Sequence, residues 1–318
     1  MACPRIGIRQ ITPALHNDVA AGTWEWGIVE SKAIVVGYDG SEPAARAVRW
    51  AAQQASLRNV QLHLVHCTLW PLLTKNLGPV PGIADSGLQR AAEITLEEGV
   101  DHAKQASPGI DVRTSLVSGS PAVQLPKIAA DQELLVVGSR GLGGFMGLMV
   151  GSVSLELAAT ASCPVAVIRE GGDPDGPVLV AVDGSGSQAA LEDACAAATA
   201  AGTRLIVTHV RTVPAGYRLV RDTVDPGAAA EAILDAAAAK AQELAPQLTV
   251  EKQLLTDTSV PRAVLHAAEG ARLTVVGTKG HGVVRGSIGS TAHAILHHAK
   301  GPVLVSRRQH VAKGEHQA

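Results

Sequence analysis

Aromatic side chains are scarce in this chain: one Phe, two Tyr and four Trp among 318 residues, 2% in all. A core without them must be aliphatic, close-packed from small and β-branched residues. Apolar runs are short as well, and none approaches the roughly 18 residues that a membrane-spanning helix needs. Positive charge is not in excess, since the formal net charge is −2, and no basic footprint for nucleic acid results. The four cysteines, Cys3, Cys67, Cys163 and Cys195, are scattered without a CxxC pair, which argues against a disulfide framework or a zinc site. Cys163 and Cys195 read as small packing residues. Residues 1–30 have neither the apolar core nor the small-residue cleavage pattern of a secretory signal and read as a tail carrying Trp24 and Trp26. Together these absences predict a soluble cytoplasmic protein with neither nucleic-acid nor membrane partners.

What is present alternates. Ala33–Tyr38 is an apolar, β-branched run that reads as a buried strand, followed by a turn over Asp39–Pro43 and a helix over Ala44–Ala55. Further strands are expected over Val60–His66, Asp111–Val117, Leu134–Gly138 and Pro164–Ile168, and helices over Leu88–Ala106, Pro121–Ala130 and Ser152–Ala161. Pro126 should bend or shorten the helix that contains it. Alternating β and α elements imply a mostly parallel sheet, helix-covered, with right-handed crossovers.

The densest signal is Leu134–Ser154, LLVVGSRGLGGFMGLMVGSVS. An apolar strand ends in a glycine loop, and the loop ends at the start of a periodic segment for which Ser152 is the expected N-cap. Glycines let backbone approach a phosphate closely, and unpaired N–H groups at a helix start favour an anion, so the stretch reads as a phosphate cradle. A flexible connection between two core elements is the competing reading. Neither GxxxxGK[ST] nor GxGxxG occurs in it.

After GGDPDGP at Gly171–Pro177 the pattern starts again. VLVAVDGSGSQAALEDA answers VVGYDGSEPAARAVRWA, TRLIVTHV answers VQLHLVHC, LTVVGTKGHG answers LLVVGSRGLG, and GPVLVSR answers CPVAVIR. Asp39 thus corresponds to Asp183, His66 to His209, Gly138 to Gly277 and Cys163 to Gly301. Each copy, at about 140 residues, is long enough for its own core. The expected organisation is a tail (1–30), a first domain (31–170), a linker (171–177), a second domain (178–308) and a C-terminal tail (309–318).

The spacing Gly138-x2-Gly141-x9-Gly151-Ser152, the Asp-Gly-Ser after the first strand and the closing Cys-Pro-Val resemble the universal stress protein family, and the resemblance covers both copies. It implies two tandem flavodoxin-like domains of the adenine nucleotide alpha hydrolase type, each a five-stranded parallel sheet of order 3-2-1-4-5, with a ligand crevice beside strands 1 and 4. It also implies ATP or another adenine nucleotide such as cyclic AMP as ligand. Asp39, Gly40 and the main chain around Val65 and His66 would hold adenine. Gly138, Arg140 and Gly141 would line ribose and phosphates, and Gly151, Ser152, Val153 and Ser154 would bind phosphate oxygens. The second-copy set is Asp183, Gly184, His209, Gly277, Gly280, Gly289, Ser290 and Thr291. The residues alone leave Asp39 and Asp183 open to a local Asx-turn role, and His66 and His209 open to being satisfied, half-buried histidines. Arg140, Lys279 and Arg285 read equally as solvated bases. His293 and His297 have i, i+4 spacing but no HExxH context, so a metal site is not expected.

No GxSxG elbow, no nucleophile with a base and no Mg²⁺-binding acidic cluster emerges, although Mg²⁺ would be a natural companion of ATP. A non-catalytic stress-response regulator that binds ATP leads, with slow ATP hydrolysis and a nucleotide-independent scaffold as alternatives. Two further expectations concern the copies. The short apolar edge strands Pro164–Ile168 and Pro302–Val305 should be covered by packing of the two copies, and the resemblance implies that these fifth strands pair in a pseudo-dimer, with a homodimer also open. The first site should be the tighter, with the second weak, selective for a different nucleotide, or empty, because eight residues separate Gly280 from Gly289 where nine separate Gly141 from Gly151. That deletion is expected to shift the arriving helix, and Asp257 to repel phosphate.

Overall fold

A computed structural model describes residues 32–68, 84–141, 150–185, 187–213, 226–278 and 288–307. In the first copy β1 (Ile34–Gly37), α1 (Glu42–Arg58), β2 (Leu62–Thr68), α2 (Ala84–Ala106), β3 (Val112–Ser118), α3 (Pro121–Ile128), β4 (Leu134–Gly138), α4 (Ser152–Thr160) and β5 (Val165–Ile168) alternate. The second copy repeats them as β6 (Val178–Val182), α5 (Gln188–Ala201), β7 (Leu205–Thr212), α6 (Pro226–Leu244), β8 (Val250–Asp257), α7 (Val260–Ala267), β9 (Leu273–Gly277), α8 (Ser290–His298) and β10 (Val303–Ser306).

The strands form one ten-stranded sheet in the order β3-β2-β1-β4-β5-β10-β9-β6-β7-β8. All pairs are parallel except β5 with β10, which run antiparallel with Ala166 opposite Leu304. The fifth strands are thus paired, not exposed, and the two half-sheets are related by a pseudo-twofold at that seam. The alternation of the strands feeds two apolar layers. Ile34, Val36, Leu62, Leu64, Leu134 and Val136 face α1, whose Val48, Ala51 and Ala52 are buried against them. Val35, Leu135 and Val137 face the other way, against Leu157 of α4 and Leu125 of α3. Burial on both faces is what makes the central strands read as continuous apolar runs.

Local chemistry sets the helix ends. Helix α1 starts earlier than the apolar period suggests, because the Ser41 side chain caps it by accepting from Ala44 N–H and Pro43 sits in its first turn. It ends past Ala55, where Asn59 takes the left-handed conformation (φ 52°). Helix α3, with Pro126 inside it, stops after eight residues at Ile128. Ser152 is not the N-cap of α4: Gly151 is, and Ser152 is the first helical residue. Cys163 and Cys195 are buried, and desolvation pushes their thiols and that of Cys67 up to about 11.

Candidate functional site

The order of each half-sheet reverses between strands 1 and 4, which places a crevice outside the C-terminal ends of β1 and β4. In the first copy, Asp39 follows the first of these strands. Its Oδ1 accepts from Ser41 N–H at 3.0 Å and from the Ser41 hydroxyl at 2.6 Å, an Asx turn through Gly40, whose φ is +86°. Its Oδ2 faces Gly141, where a Cβ would lie only 2.4 Å away. The predicted pair from two distant stretches is therefore in contact. Gly138 is needed for a different closeness: a Cβ there would stand 2.7 Å from the carbonyl of Pro43 and 2.9 Å from Ala44 N, so only glycine lets the end of β4 approach the start of α1.

Gly151 is tied back to this strand end by its N–H, which donates to Ser139 O at 2.7 Å. As a glycine N-cap it has no side chain to cover the first-turn amides of Ser152, Val153 and Ser154, which have no acceptor within the helix. Ser152 is exposed and Ser154 is buried. The Ser154 hydroxyl donates to Gly138 O at 2.8 Å, so its only proton is used inside the protein and its amide is what it offers an anion. The adjacent strand, expected to end at His66, runs on to Thr68, so Val65 and His66 lie within β2 beside the end of β1, with Val65 opposite Gly37 and Val65 O accepting from Tyr38 N–H. His66 Nδ1 lies 2.7 Å from Tyr38 O, and because a carbonyl only accepts, that nitrogen carries the proton. The imidazole is half-buried and held through this nitrogen. Arg140 is exposed.

The second copy keeps part of this and changes part. His209 Nδ1 meets Val182 O at 2.9 Å, the counterpart of the His66 contact. Gly289 is the N-cap of α8 and donates to Thr278 O at 2.9 Å, matching Gly151 and Ser139. The expected displacement of this helix by the shorter loop is thus absent: the arriving helix is anchored to its strand end by the same bond. Gly280, Lys279 and Arg285 lie outside the described residues. Ser290 and Thr291 open α8, but Ala292 stands where Ser154 does, so Gly277 O has no matching hydroxyl.

The larger difference lies at Asp183, where the sequence suggests equivalence. Its Oδ1 accepts from Ser185 N–H at 2.9 Å, from the Ser185 hydroxyl and from the Ser187 hydroxyl at 3.1 Å. Helix α5 begins only at Gln188, behind a Ser187 held at φ 44°, and Gly184 is not left-handed as Gly40 is. Asp257 does not stand as a bare charge, because Arg262 reaches its Oδ1 at 2.6 Å and holds its carboxyl below the usual range. The rings of His293 and His297 lie 4.5 Å apart, and no group of three or more metal-binding side chains occurs among the described residues. No described helix is long and apolar enough to cross a membrane. The anchoring carbonyls of Ser139 and Thr278 were not legible beforehand, since backbone acceptors leave no mark on side-chain identity.

The universal stress protein family model matches residues 30–169 and again 176–307. The chain belongs to the universal stress protein family. Two curated Mycobacterium tuberculosis relatives span nearly its whole length. Universal stress protein Rv2005c is 32% identical over 286 residues, 86% of this chain and 97% of the relative. Universal stress protein Rv1996 is 30% identical over 307 residues, 86% of this chain and 94% of the relative. Among solved structures, a universal stress protein from Archaeoglobus fulgidus superimposes with a TM-score of 0.65 over 88% of this chain and 100% of that one. At 22% identity it speaks for the fold of this tandem universal stress protein.

Proposed function

We propose that this universal stress protein is a cytoplasmic, non-catalytic stress-response regulator that binds ATP in the crevice of its first copy and signals through its occupied state. The observation that carries this reading is the meeting of the Asp39 carboxylate with Gly141 at the strand ends, next to the first turn of α4. Asp39 and the main chain around Gly40, Val65 and His66 suit the donor edge of adenine. Glycine backbone at Gly138 and Gly141 suits close approach of the ribose and phosphates. The amides of Gly151, Ser152, Val153 and Ser154, at the positive end of a helix dipole, suit the phosphate oxygens. Mg²⁺, when it accompanies ATP, would be held chiefly by the phosphates themselves. The second copy, with Asp183, Gly184, His209, Gly277, Gly280, Gly289, Ser290 and Thr291, is in this reading a weaker site for a related nucleotide. The protein works as an intramolecular pseudo-dimer, with a homodimer as a further level of assembly.

Mass analysis of the small molecule released on denaturing freshly purified protein, followed by calorimetric titration with ATP, AMP and cyclic AMP, tests the reading. An adenine nucleotide in the released fraction and a saturable ATP isotherm lost in Asp39→Asn are expected. No binding of any adenine nucleotide to a folded chain would overturn it.

A further inference from the structure

We infer that the two crevices are energetically coupled through a closed ring of hydrogen bonds that crosses the seam twice. This inference rests on the nucleotide-binding reading and adds to it a regulation of the same sites. The ring starts at the first cradle, where Gly151 N–H donates to Ser139 O at 2.7 Å and Ser139 N–H donates in turn to Ile168 O at 3.0 Å. The next residue, Arg169, leaves β5 and crosses to the other copy. There its Nη2 donates to Leu296 O and, at 3.2 Å, to His297 O, carbonyls of the last turn of α8. The opposite end of α8 is the second cradle. Gly289 N–H donates to Thr278 O at 2.9 Å, and Thr278 N–H to Ser306 O at 3.2 Å. Arg307 then leaves β10 and crosses back, donating from Nη2 to Ala159 O in the last turn of α4, whose first turn is the starting cradle.

Three features make this ring a path for coupling and not a list of contacts. Each cradle helix has nine residues, a rod of about 14 Å, so displacement at its N-terminus is carried to its C-terminus. Each guanidinium holds a helix C-terminus, the negative end of the dipole whose positive end faces the phosphate, so anion and arginine act on one helix from both ends. The two arginines follow strands that are themselves hydrogen-bonded to each other, Val167 opposite Val303 and Val165 opposite Val305, leaving little slack at the seam. Both guanidinium groups are partly desolvated, and burial lowers the pKa of each. Their contacts are thus shielded from the screening that makes exposed charge contacts weak. A nucleotide that seats α4 against its phosphates therefore also seats Arg307 and β10, and through β5 and Arg169 it sets the position of α8. By linkage, occupancy of either crevice changes the affinity of the other by the same factor, and about fivefold, the lower end for coupled sites, is expected.

The test is hydrogen exchange of the full chain with and without ATP. It is run in the wild-type protein and in Asp183→Asn, which removes the second crevice's carboxylate so that ATP fills the first. In Asp183→Asn, ATP should slow exchange at least threefold in α8 and β10, residues 290–306, as well as around the first crevice. Adding Arg169→Met and Arg307→Met together, which cuts both seam crossings outside the crevices, should confine the slowing to residues 32–168, and the pair Arg169→Lys and Arg307→Lys, which keeps donors for the carbonyls, should restore part of it. Slowing confined to the first copy with both arginines intact overturns the coupling and leaves the nucleotide reading standing. Absence of any ATP-dependent change in the wild-type chain overturns both. Should the doubly cut variant fail to fold, the Asp183→Asn measurement decides alone.

Discussion

Gly141 lies against the carboxylate of Asp39, so closely that a Cβ at residue 141 would stand 2.4 Å from Asp39 Oδ2. The near atom is the tip of a short side chain, which can rotate away, and residue 141 is exposed. Gly141→Ala should therefore spare the fold and move Asp39. The expected outcome is ATP affinity at least tenfold weaker by calorimetry with a melting temperature within about 2 °C of wild type, and Gly141→Asp, adding a negative charge, should weaken it further. Unchanged affinity in both variants would place the ligand elsewhere.

Gly138, three residues earlier, predicts the opposite balance. Its missing Cβ would meet the Pro43 carbonyl at 2.7 Å, and this neighbour is backbone at the start of α1 that cannot step aside alone. Gly138→Ala should cost about 2 kcal/mol, lowering the melting temperature by about 5 °C. A variant as stable as wild type would show that β4 and α1 separate at little cost.

These two glycines also mark how far the sequence could be read. The alternation of apolar strands with periodic helices and the repeat of the Asp-Gly-Ser and glycine motifs carried the fold, because burial on both sheet faces writes itself into runs such as Leu134–Val137. That β5 and β10 would be covered was legible from their short apolar runs, and that they would pair with each other followed from the family resemblance. Other features depend on geometry that motifs do not encode. The Asp-Gly-Ser at Asp183 repeats that at Asp39, yet the following residues delay α5 to Gln188 and turn the carboxylate onto Ser185 and Ser187. Conversely, a one-residue deletion that suggested a displaced helix leaves Gly289 anchored as Gly151 is. The crossings of Arg169 and Arg307 depend on backbone carbonyls and were invisible.

The difference at Asp183 predicts unequal sites. In the first copy Oδ1 serves the turn while Oδ2 faces Gly141, whereas in the second Oδ1 gathers three donors from a turn that pushes the helix start away. Asp39→Asn should abolish the tight phase of ATP titration of the intact chain, and Asp183→Asn should shift that phase by no more than the roughly fivefold allowed for coupling. Two equivalent phases in the wild-type chain, or loss of the tight phase only in Asp183→Asn, would refute this asymmetry.

Acid sensitivity is expected from His63, which the sequence did not single out. The ring is buried on β2, with Nε2 2.8 Å from the Ser115 hydroxyl, itself buried on β3. Desolvation, and the nearby Arg113 guanidinium, lower its pKa from 6.5 to about 4. Above about pH 6.5 the imidazole is neutral in both folded and unfolded chains and stability does not depend on it. As pH falls from 6.5 towards 4 the unfolded chain takes up a proton that the folded chain refuses, so stability falls through that window and levels off below it. The loss attributable to this group is about 2 kcal/mol at pH 5 and about 3 kcal/mol once both states are protonated. Urea unfolding at pH 7 and pH 5 reads it as a difference. His63→Gln, which retains a hydrogen-bonding group for Ser115 but cannot titrate, should lose about 2 kcal/mol less than wild type on acidification, whatever the carboxylates contribute to both. Equal losses in the two proteins would mean that His63 is protonated as readily in the folded chain as in the unfolded one.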